Sequence, residues 1–489
     1  MFVQPFIRIT RQAIDRVSEN ELQVEGSEVA QQISHFCRLF RGGLKLLLSK
    51  ITLENFKCFG AREFLLHNQF NLIVGANGSG KTALLDACSV AIGSFLLGVD
   101  GAESRHIRPH EIKLKRFPSG FVDSETPQIE RYSWERQYPC SVSSNGTISG
   151  QNLSWRRAVN SDGGRTTYGE ANDIKSLAIE LVKKVREGEV IDLPVLSYYG
   201  TGRLWQEPRE NFRVRGAKGT NKSQKRSRLD GYKTSVDPRL SVVQLTSWMA
   251  QEAWVAFQNR REKTPEMEIL NEAVRSCVDG VSDIYFDAEE GEIIVEIEGY
   301  AQPFSNLSDG QRCMMALVGD IAKKAITLNP HQGRKVLFLT GGVVMIDELD
   351  LHLHPRWQRN LIENLRSTFP SIQFICTTHS PFLIQSLRDG EELLMLEGQP
   401  LDKLNNRSVE EISLEIQGVN QLEASVRYSQ MKDEAKKVLV RLYDTEQLSD
   451  GEITALGEEV DDVVKKYADN PAYQAFLEME KLSKLGGEK

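Results

Sequence analysis

From residue 44 onward, short apolar runs alternate with longer stretches in which apolar residues return every three or four positions. Leu46-Leu47-Leu48 and Ile51 through Phe56 read as strands, and Phe70-Asn71-Leu72-Ile73-Val74 reads as a buried one. A glycine-rich turn follows it, then an apolar-faced helix over roughly 80–98. Ile129, Tyr132 and Trp134, with turn signals at Asn145-Gly146 and Asp162-Gly163-Gly164, predict antiparallel hairpins. Ile174, Leu177, Ala178, Leu181, Val182 and Val185 then share one helical face, and Val190–Tyr199 returns to strand. Helices follow residue 241, then a hairpin through Ile284–Phe286 and Ile293–Ile297. Two more strand–helix units are centred on Val343–Ile346 and Ile372–Cys376. The tail from 408 is helical. From Asp444 it is also acidic, with twelve Asp or Glu against five Lys.

This pattern predicts three regions. Residues 1–43 are an N-terminal extension set off by Phe40-Arg41-Gly42-Gly43, either an amphipathic arm or an overextended translation start. Residues 44–395 form the main α/β body, and 396–489 form a C-terminal helical region suited to partner or oligomer contacts. Composition narrows the class. The 489 residues are 40% apolar and 26% charged, which is ordinary globular content. A net charge of −8 argues against a protein that coats nucleic acid by bulk charge. One local exception lies at 209–228, where eight basic residues stand against the single acid Glu210 in a stretch without periodicity. It reads equally as a solvated mobile loop and as a phosphate-binding patch with Phe212 and Tyr232 nearby. Seven widely spaced cysteines without a CxxC pair exclude a disulfide framework or zinc ribbon and suit a reducing cytoplasm. No apolar run approaches the ~18 residues of a membrane span, so no membrane partner is expected.

The chemistry concentrates at four places. Gly75-Ala76-Asn77-Gly78-Ser79-Gly80-Lys81-Thr82 fits G-x-x-x-x-G-K-S/T without mismatch, after a buried strand and at the opening of a helix. Glycines let backbone N–H groups curl around phosphate oxygens, and the helix N-terminus adds positive potential. Lys81 then reaches the β- and γ-phosphates of ATP, and the Thr82 hydroxyl ligates Mg²⁺. Val343 through Ile346 make a buried strand that ends in Asp347, a second Mg²⁺ ligand, and Glu348, placed to polarise an attacking water. Ser308 and Gln311 in Leu307-Ser308-Asp309-Gly310-Gln311 spell a capping box for a helix whose apolar face is Met314, Leu317, Val318, Ile321 and Ala325. That segment reads as a well-capped helix or as a γ-phosphate receptor. His379, in Thr377-Thr378-His379-Ser380-Pro381, ends the next strand, as a structural residue or as a γ-phosphate contact.

These four elements, in this order, resemble the ABC-type ATPase heads of the SMC, RecF and OLD families over about 44–395. Leu307–Gln311 is similar to their LSGGQ-like signature with Asp309 in place of a glycine, and Ile51–Phe59 to the opening strand of RecF-like heads. The resemblance implies a P-loop ATPase head with an antiparallel β lobe and helical insertions. It implies that two heads sandwich two ATP molecules, each offering Ser308, Gly310 and Gln311 to the nucleotide of its partner. The spacing from signature to Asp347 exceeds what transporters usually allow. Asp347 through Gln358, and Tyr198-Tyr199-Gly200-Thr201-Gly202-Arg203-Leu204-Trp205, resemble the stand-alone bacterial ATPases that include the PtuA proteins of Septu and retron-associated anti-phage systems. His352 and His354 beside three carboxylates suggest a metal, but residues two apart on a turn rarely converge with the preceding acids. A dimer-facing loop is the better reading.

Neither a Toprim pattern in 396–489 nor an HNH-like Cys/His/Asn cluster is visible, so any nuclease is expected on another chain. For the PtuA group that partner is an HNH nuclease of the PtuB kind. Apolar Tyr473, Phe476, Leu477, Met479, Leu482 and Leu485 among acids mark a face for a partner or for the head itself. The first functional expectation is thus a cytoplasmic anti-phage ATPase, homodimeric or a higher homo-oligomer, that regulates a separate HNH nuclease. The second is a RecF-like DNA-repair ATPase that clamps DNA when ATP drives dimerisation. A third treats ATP as a structural ligand.

Overall fold

The computed structural model describes residues 45–118, 132–148, 150–203, 227–388, 390–396, 408–416, 426–443, 450–466 and 471–485. They divide into two units, Met1–Asn405 and Asn406–Lys489. Residues 1–43 and most of the basic stretch 209–228 lie outside the described residues.

The larger unit is built on a five-stranded parallel sheet in the order β14-β3-β13-β12-β8. Its strands are β3 (Phe70–Val74), β8 (Val195–Tyr199), β12 (Gly342–Ile346), β13 (Ile372–Thr377) and β14 (Leu393–Met395). Every residue of the four longer strands is buried, as near-continuous apolar runs dictate for a parallel sheet covered on both faces. The second sheet is antiparallel, in the order β2-β1-β6-β7: β1 (Leu46–Glu54), β2 (Ala61–Leu65), β6 (Cys140–Ile148) and β7 (Gln151–Val159). Helix α1 (Lys81–Leu96) packs against strands of both sheets. Its sequence is mostly small and apolar, and only Thr82 escapes burial.

Buried Gln373 of β13 ties the sheets together. Its amide accepts from Leu48 N (2.8 Å) and donates to Leu48 O (2.7 Å), at the register shift that interrupts β1–β6 pairing. At the same irregularity the structure corrects one turn assignment. Asn145-Gly146 is not a hairpin turn but lies within β6, because a Cβ at Gly146 would stand 2.4 Å from Leu47 O. The β6–β7 turn falls at Gly150, with φ +79°.

Across the parallel sheet from α1 lies α5 (Asp309–Leu328), which packs on β8 and on the amphipathic α4 (Pro265–Cys277). Met314, Leu317, Val318, Ile321 and Ala325 are all buried. Between β8 and α5 stand α3 (Val242–Gln258) and the sheet β9 (Val281–Asp287), β10 (Glu292–Ile297) and β11 (Tyr300–Pro303). Helices α2 (Asn172–Arg186) and α6 (Pro355–Thr368) complete the covering layers, and the short ribbon of β4 (Leu114–Pro118) and β5 (Tyr132–Arg136) stands apart from the main sheets. The result is a mixed α/β unit with a buried parallel sheet and an antiparallel lobe.

The smaller unit contains α7 (Val426–Tyr443), α8 (Asp450–Lys466) and α9 (Pro471–Leu485). They enclose a core of Met431, Ala435, Val438, Leu442, Leu456, Val460 and Leu477, with the flanking valines of α8. Leu477 is therefore an internal core residue, whereas Met479 and Leu482 are exposed. The side chains of Tyr473 and Leu485 lie outside the described residues. Among the described residues no helix is long and apolar enough to cross a membrane.

Candidate active site

The loop of residues 75–80 links the C-terminal end of β3 to the first turn of α1. Its glycines answer to close approach. A Cβ at Gly75 would stand 2.5 Å from Ser79 Oγ, and one at Gly80, where φ is +108°, would meet Phe59 and Cys58 at 2.6 Å. Gly78 also has positive φ, and Asn77 is exposed beside it. Lys81 is buried and its ammonium donates to Gly75 O (2.7 Å) and Ala76 O (3.0 Å), so its charge lies within the loop. Ser79 Oγ is buried with no hydrogen-bond partner. A glycine-rich loop at a helix N-terminus that carries an ammonium and an unsatisfied hydroxyl fits a polyphosphate.

The carboxylate pair comes to this loop from β12. Thr82 Oγ1 donates to Asp347 Oδ2 (2.9 Å), and Thr377 Oγ1 on the neighbouring β13 donates to Asp347 Oδ1 (2.6 Å). A hydroxyl and a carboxylate side by side at the phosphate end are hard oxygen donors of the kind Mg²⁺ takes. Glu348 lies partly exposed with φ +49°, a left-handed conformation that costs a non-glycine residue about 1–2 kcal/mol. Its N–H donates to Thr377 Oγ1 (2.7 Å). The loop beyond is drawn toward β13 as well. Thr378 Oγ1 donates to Asp350 Oδ1 (2.5 Å), and His379 N–H reaches the same oxygen at 3.4 Å. His379 is thus exposed on the ridge that adjoins the carboxylate pair.

The capping box at Ser308 is formed: Gln311 N donates to Ser308 Oγ (3.3 Å), and Ser308 N donates to Gln311 Oε1 (3.1 Å). Ser308 is exposed at the start of α5. Gly310 is buried, and a Cβ there would stand 2.4 Å from His352 O of the same chain. Its smallness therefore serves an internal contact between α5 and the loop after the carboxylate pair. The structure brings Lys81, Thr82, Asp347 and Thr377 together by direct contacts. It leaves Ser308 on the surface, bonded to its own helix.

Sequence reasoning missed Arg203. It is 1% exposed, and its guanidinium donates to Asp347 O (2.7 Å), Glu348 O (2.9 Å), Gly200 O (3.2 Å) and Cys313 Sγ (2.9 Å). The motif that carries it was visible, but nothing local connects residue 203 to residues 144 positions away. Two buried aspartates also went unnoticed. Asp86 of α1 accepts from Tyr198 OH (3.3 Å) and pairs with Arg105 (3.2 Å) and Lys57. Asp320 of α5 accepts from Tyr199 OH (2.8 Å) and pairs with Lys324 (2.8 Å) and Lys323 (3.0 Å). Burial alone would raise the Asp320 carboxyl, but the two ammonium groups outweigh it and hold it below the usual carboxylate range. Burial, with a carboxylate beside each, pushes both tyrosine hydroxyls well above their ordinary value, so both remain donors.

One residue of the basic stretch departs from its expected place. Arg228 does not belong to a free loop: it opens a short 3-10 turn, and its guanidinium donates to Leu328 O (2.8 Å) and Ile191 O (2.5 Å). Two carbonyls capture it because Leu328, at the end of α5, has no helical partner for its own carbonyl.

Residues 50–280 match the AAA domain family, and residues 209–385 match a second family described as AAA domain, putative AbiEii toxin, Type IV TA system. The chain is 25% identical over 403 residues to the Retron Ec83 probable ATPase of Escherichia coli, covering 73% of each protein. It is 34% identical over 140 residues to the Septu protein PtuA of Bacillus mycoides, covering 27% of this chain and 19% of that protein. Among solved structures, the SMC head domain from Thermotoga maritima matches with a TM-score of 0.39 at 15% identity, covering 71% of this chain and 94% of that one.

Proposed function

We propose that the chain is a P-loop ATPase of the SMC/RecF/OLD-like class, as its similarity to retron and Septu ATPases supports, and that it hydrolyses ATP as the regulatory subunit of an anti-phage defence system. The observation that carries the chemical part is the 2.9 Å contact between Thr82 Oγ1 and Asp347 Oδ2, which sets the P-loop hydroxyl beside the carboxylate of β12. In this reading backbone N–H groups of Gly75, Asn77, Gly78, Ser79 and Gly80 cradle the phosphates, and the Lys81 ammonium turns from the loop carbonyls to the phosphate oxygens. Thr82 and Asp347 would hold Mg²⁺, which would supply neutralising charge to the phosphates. Glu348 accepts a proton from the attacking water as general base, and His379 contacts the γ-phosphate from the adjoining ridge.

The exposed position of Ser308 supports a site completed by a second copy. Ser308, Gly310 and Gln311 of one head then face the nucleotide of the other, with Gly310 also seating its helix on His352 O. ATP acts as the bond of a dimer, Glu348 as its release, and the dimer restrains a separate HNH nuclease of the PtuB kind.

The test is purification of the tagged chain from its native operon with and without ATP, sized by mass photometry, alongside Lys81→Ala and Glu348→Gln. Lys81→Ala should abolish nucleotide binding. Glu348→Gln should lower turnover at least ~100-fold and accumulate ATP-bound dimers. A co-purifying HNH protein is the expected partner. Unchanged hydrolysis in Glu348→Gln would remove that residue from its role, and a bare chain that grips DNA only with ATP would replace the defence reading with the DNA-clamp one.

A further inference from the structure

Arg203 is the most deeply buried cation near the carboxylate pair. Among the described residues no carboxylate pairs with it; its acceptors are three carbonyls and a sulfur. A buried charge without an ionic partner is costly, and burial of this kind persists where the group orders something else. What it orders is specific. Two N–H groups of the planar fork reach the consecutive carbonyls of Asp347 and Glu348, at 2.7 Å and 2.9 Å. Glu348 has φ +49°, and its own N–H is held by Thr377 Oγ1 at 2.7 Å. Its left-handed backbone is therefore clamped at both ends, by Thr377 at the nitrogen and by Arg203 at the carbonyl. Nε of the same guanidinium donates to Cys313 Sγ in the first turns of α5 (2.9 Å).

We propose that Arg203 is a positioning residue for hydrolysis: it fixes the backbone from which the Glu348 carboxylate projects and links that backbone to the signature helix. The proposal rests on the assignment of Glu348 as general base. A lysine keeps the charge but offers a point donor instead of a fork, so it cannot serve both carbonyls and the sulfur in this geometry.

The experiment is a double-mutant cycle in the full chain. Single-turnover hydrolysis and the Kd of a fluorescent ATP analogue are measured for the wild type, Arg203→Lys, Glu348→Gln and the double variant. Arg203→Lys should lower the rate by roughly 10- to 100-fold, as a displaced catalytic group does. Nucleotide Kd should move less than about three-fold. In the Glu348→Gln background the same substitution should cost less than about two-fold, since no base remains to be positioned. An unchanged rate, or an equal loss in both backgrounds, would overturn the proposal and leave the assignment of Glu348 standing. A wild type without turnover would instead overturn that assignment and the proposal with it. Should Arg203→Lys fail to fold, Cys313→Val removes a single acceptor while keeping the arginine. A rate about three- to ten-fold lower at unchanged Kd is then expected, and an unchanged rate overturns the proposal.

Discussion

On one face of the parallel sheet, Asp86 of α1 takes a hydrogen bond from Tyr198; on the other, Asp320 of α5 takes one from Tyr199, the next residue of β8. Neighbouring strand residues point to opposite faces, so one dipeptide anchors α1 and α5 from the same backbone. The two aspartates are neutralised differently. Asp86 meets Lys57 and Arg105 from distant segments, and Glu111 shares both cations, so the P-loop helix is sewn to the antiparallel lobe and the loop beyond it. Asp320 meets Lys323 and Lys324 from its own helix. Outside α5 its cluster is hydrogen-bonded to β8, through Tyr199 and through the 3.0 Å bond from Lys324 to Ser197. The polar anchor of α1 therefore draws on several segments, whereas the bonded partners of Asp320 come from its own helix and from β8.

Removing each carboxylate breaks this comparison most directly. Asp320→Asn takes from Lys324, only 3% exposed, the carboxylate it is paired with, and should destabilise the chain by about 3–5 kcal/mol. Asp86→Asn leaves Arg105 its ion pair with Glu111, and a loss of about 1–3 kcal/mol is expected. Urea denaturation of the full chain checks both, and the reverse order would show that the local cluster is the more redundant one. The acid limb adds a signature of its own. The folded Asp320 carboxyl titrates below its ordinary value, so its contribution is present above about pH 4 and is lost as pH falls through the folded value. Stability of the wild type should accordingly fall more steeply below about pH 4 than that of Asp320→Asn. Parallel curves would remove Asp320 from the acid transition.

What the sequence made legible follows the same division between local and distant. The buried strand Phe70–Val74, the helix that begins at Lys81 and the capping box at Ser308 are written in adjacent residues, and the elements form where the pattern places them. The P-loop and the carboxylates at 347 and 348 were singled out by short motifs, and the structure sets Thr82 against Asp347. Arg203, Asp86 and Asp320 carry no such mark, because each acquires its meaning from partners across the sheet or more than a hundred positions away. Gly146 failed for a related reason: Asn-Gly favours a hairpin turn, but a glycine is also what a strand needs where a neighbouring carbonyl crowds its Cβ position. Arg228 counted as one more charge in a basic run until two carbonyls were seen to hold it.

The smallest and sharpest test uses the two hydroxyls. Tyr199→Phe removes a 2.8 Å bond to a carboxylate whose other partners all lie on its own helix, at an expected cost of about 1.5–3 kcal/mol. Tyr198→Phe removes a longer 3.3 Å bond from an aspartate already served by Lys57 and Arg105, and should cost less than about 1 kcal/mol. Lys324 lies 5.2 Å from the Tyr199 ring centroid and keeps that contact with phenylalanine, so the difference isolates the hydroxyls. Because the two clusters lie on opposite faces, the double substitution should equal the sum of the singles within about 0.5 kcal/mol. A larger coupling would mean that β8 transmits strain from one face to the other. Helices α1 and α5 would then respond to a single event at this strand, and the two anchors would have to be treated as one mechanical element.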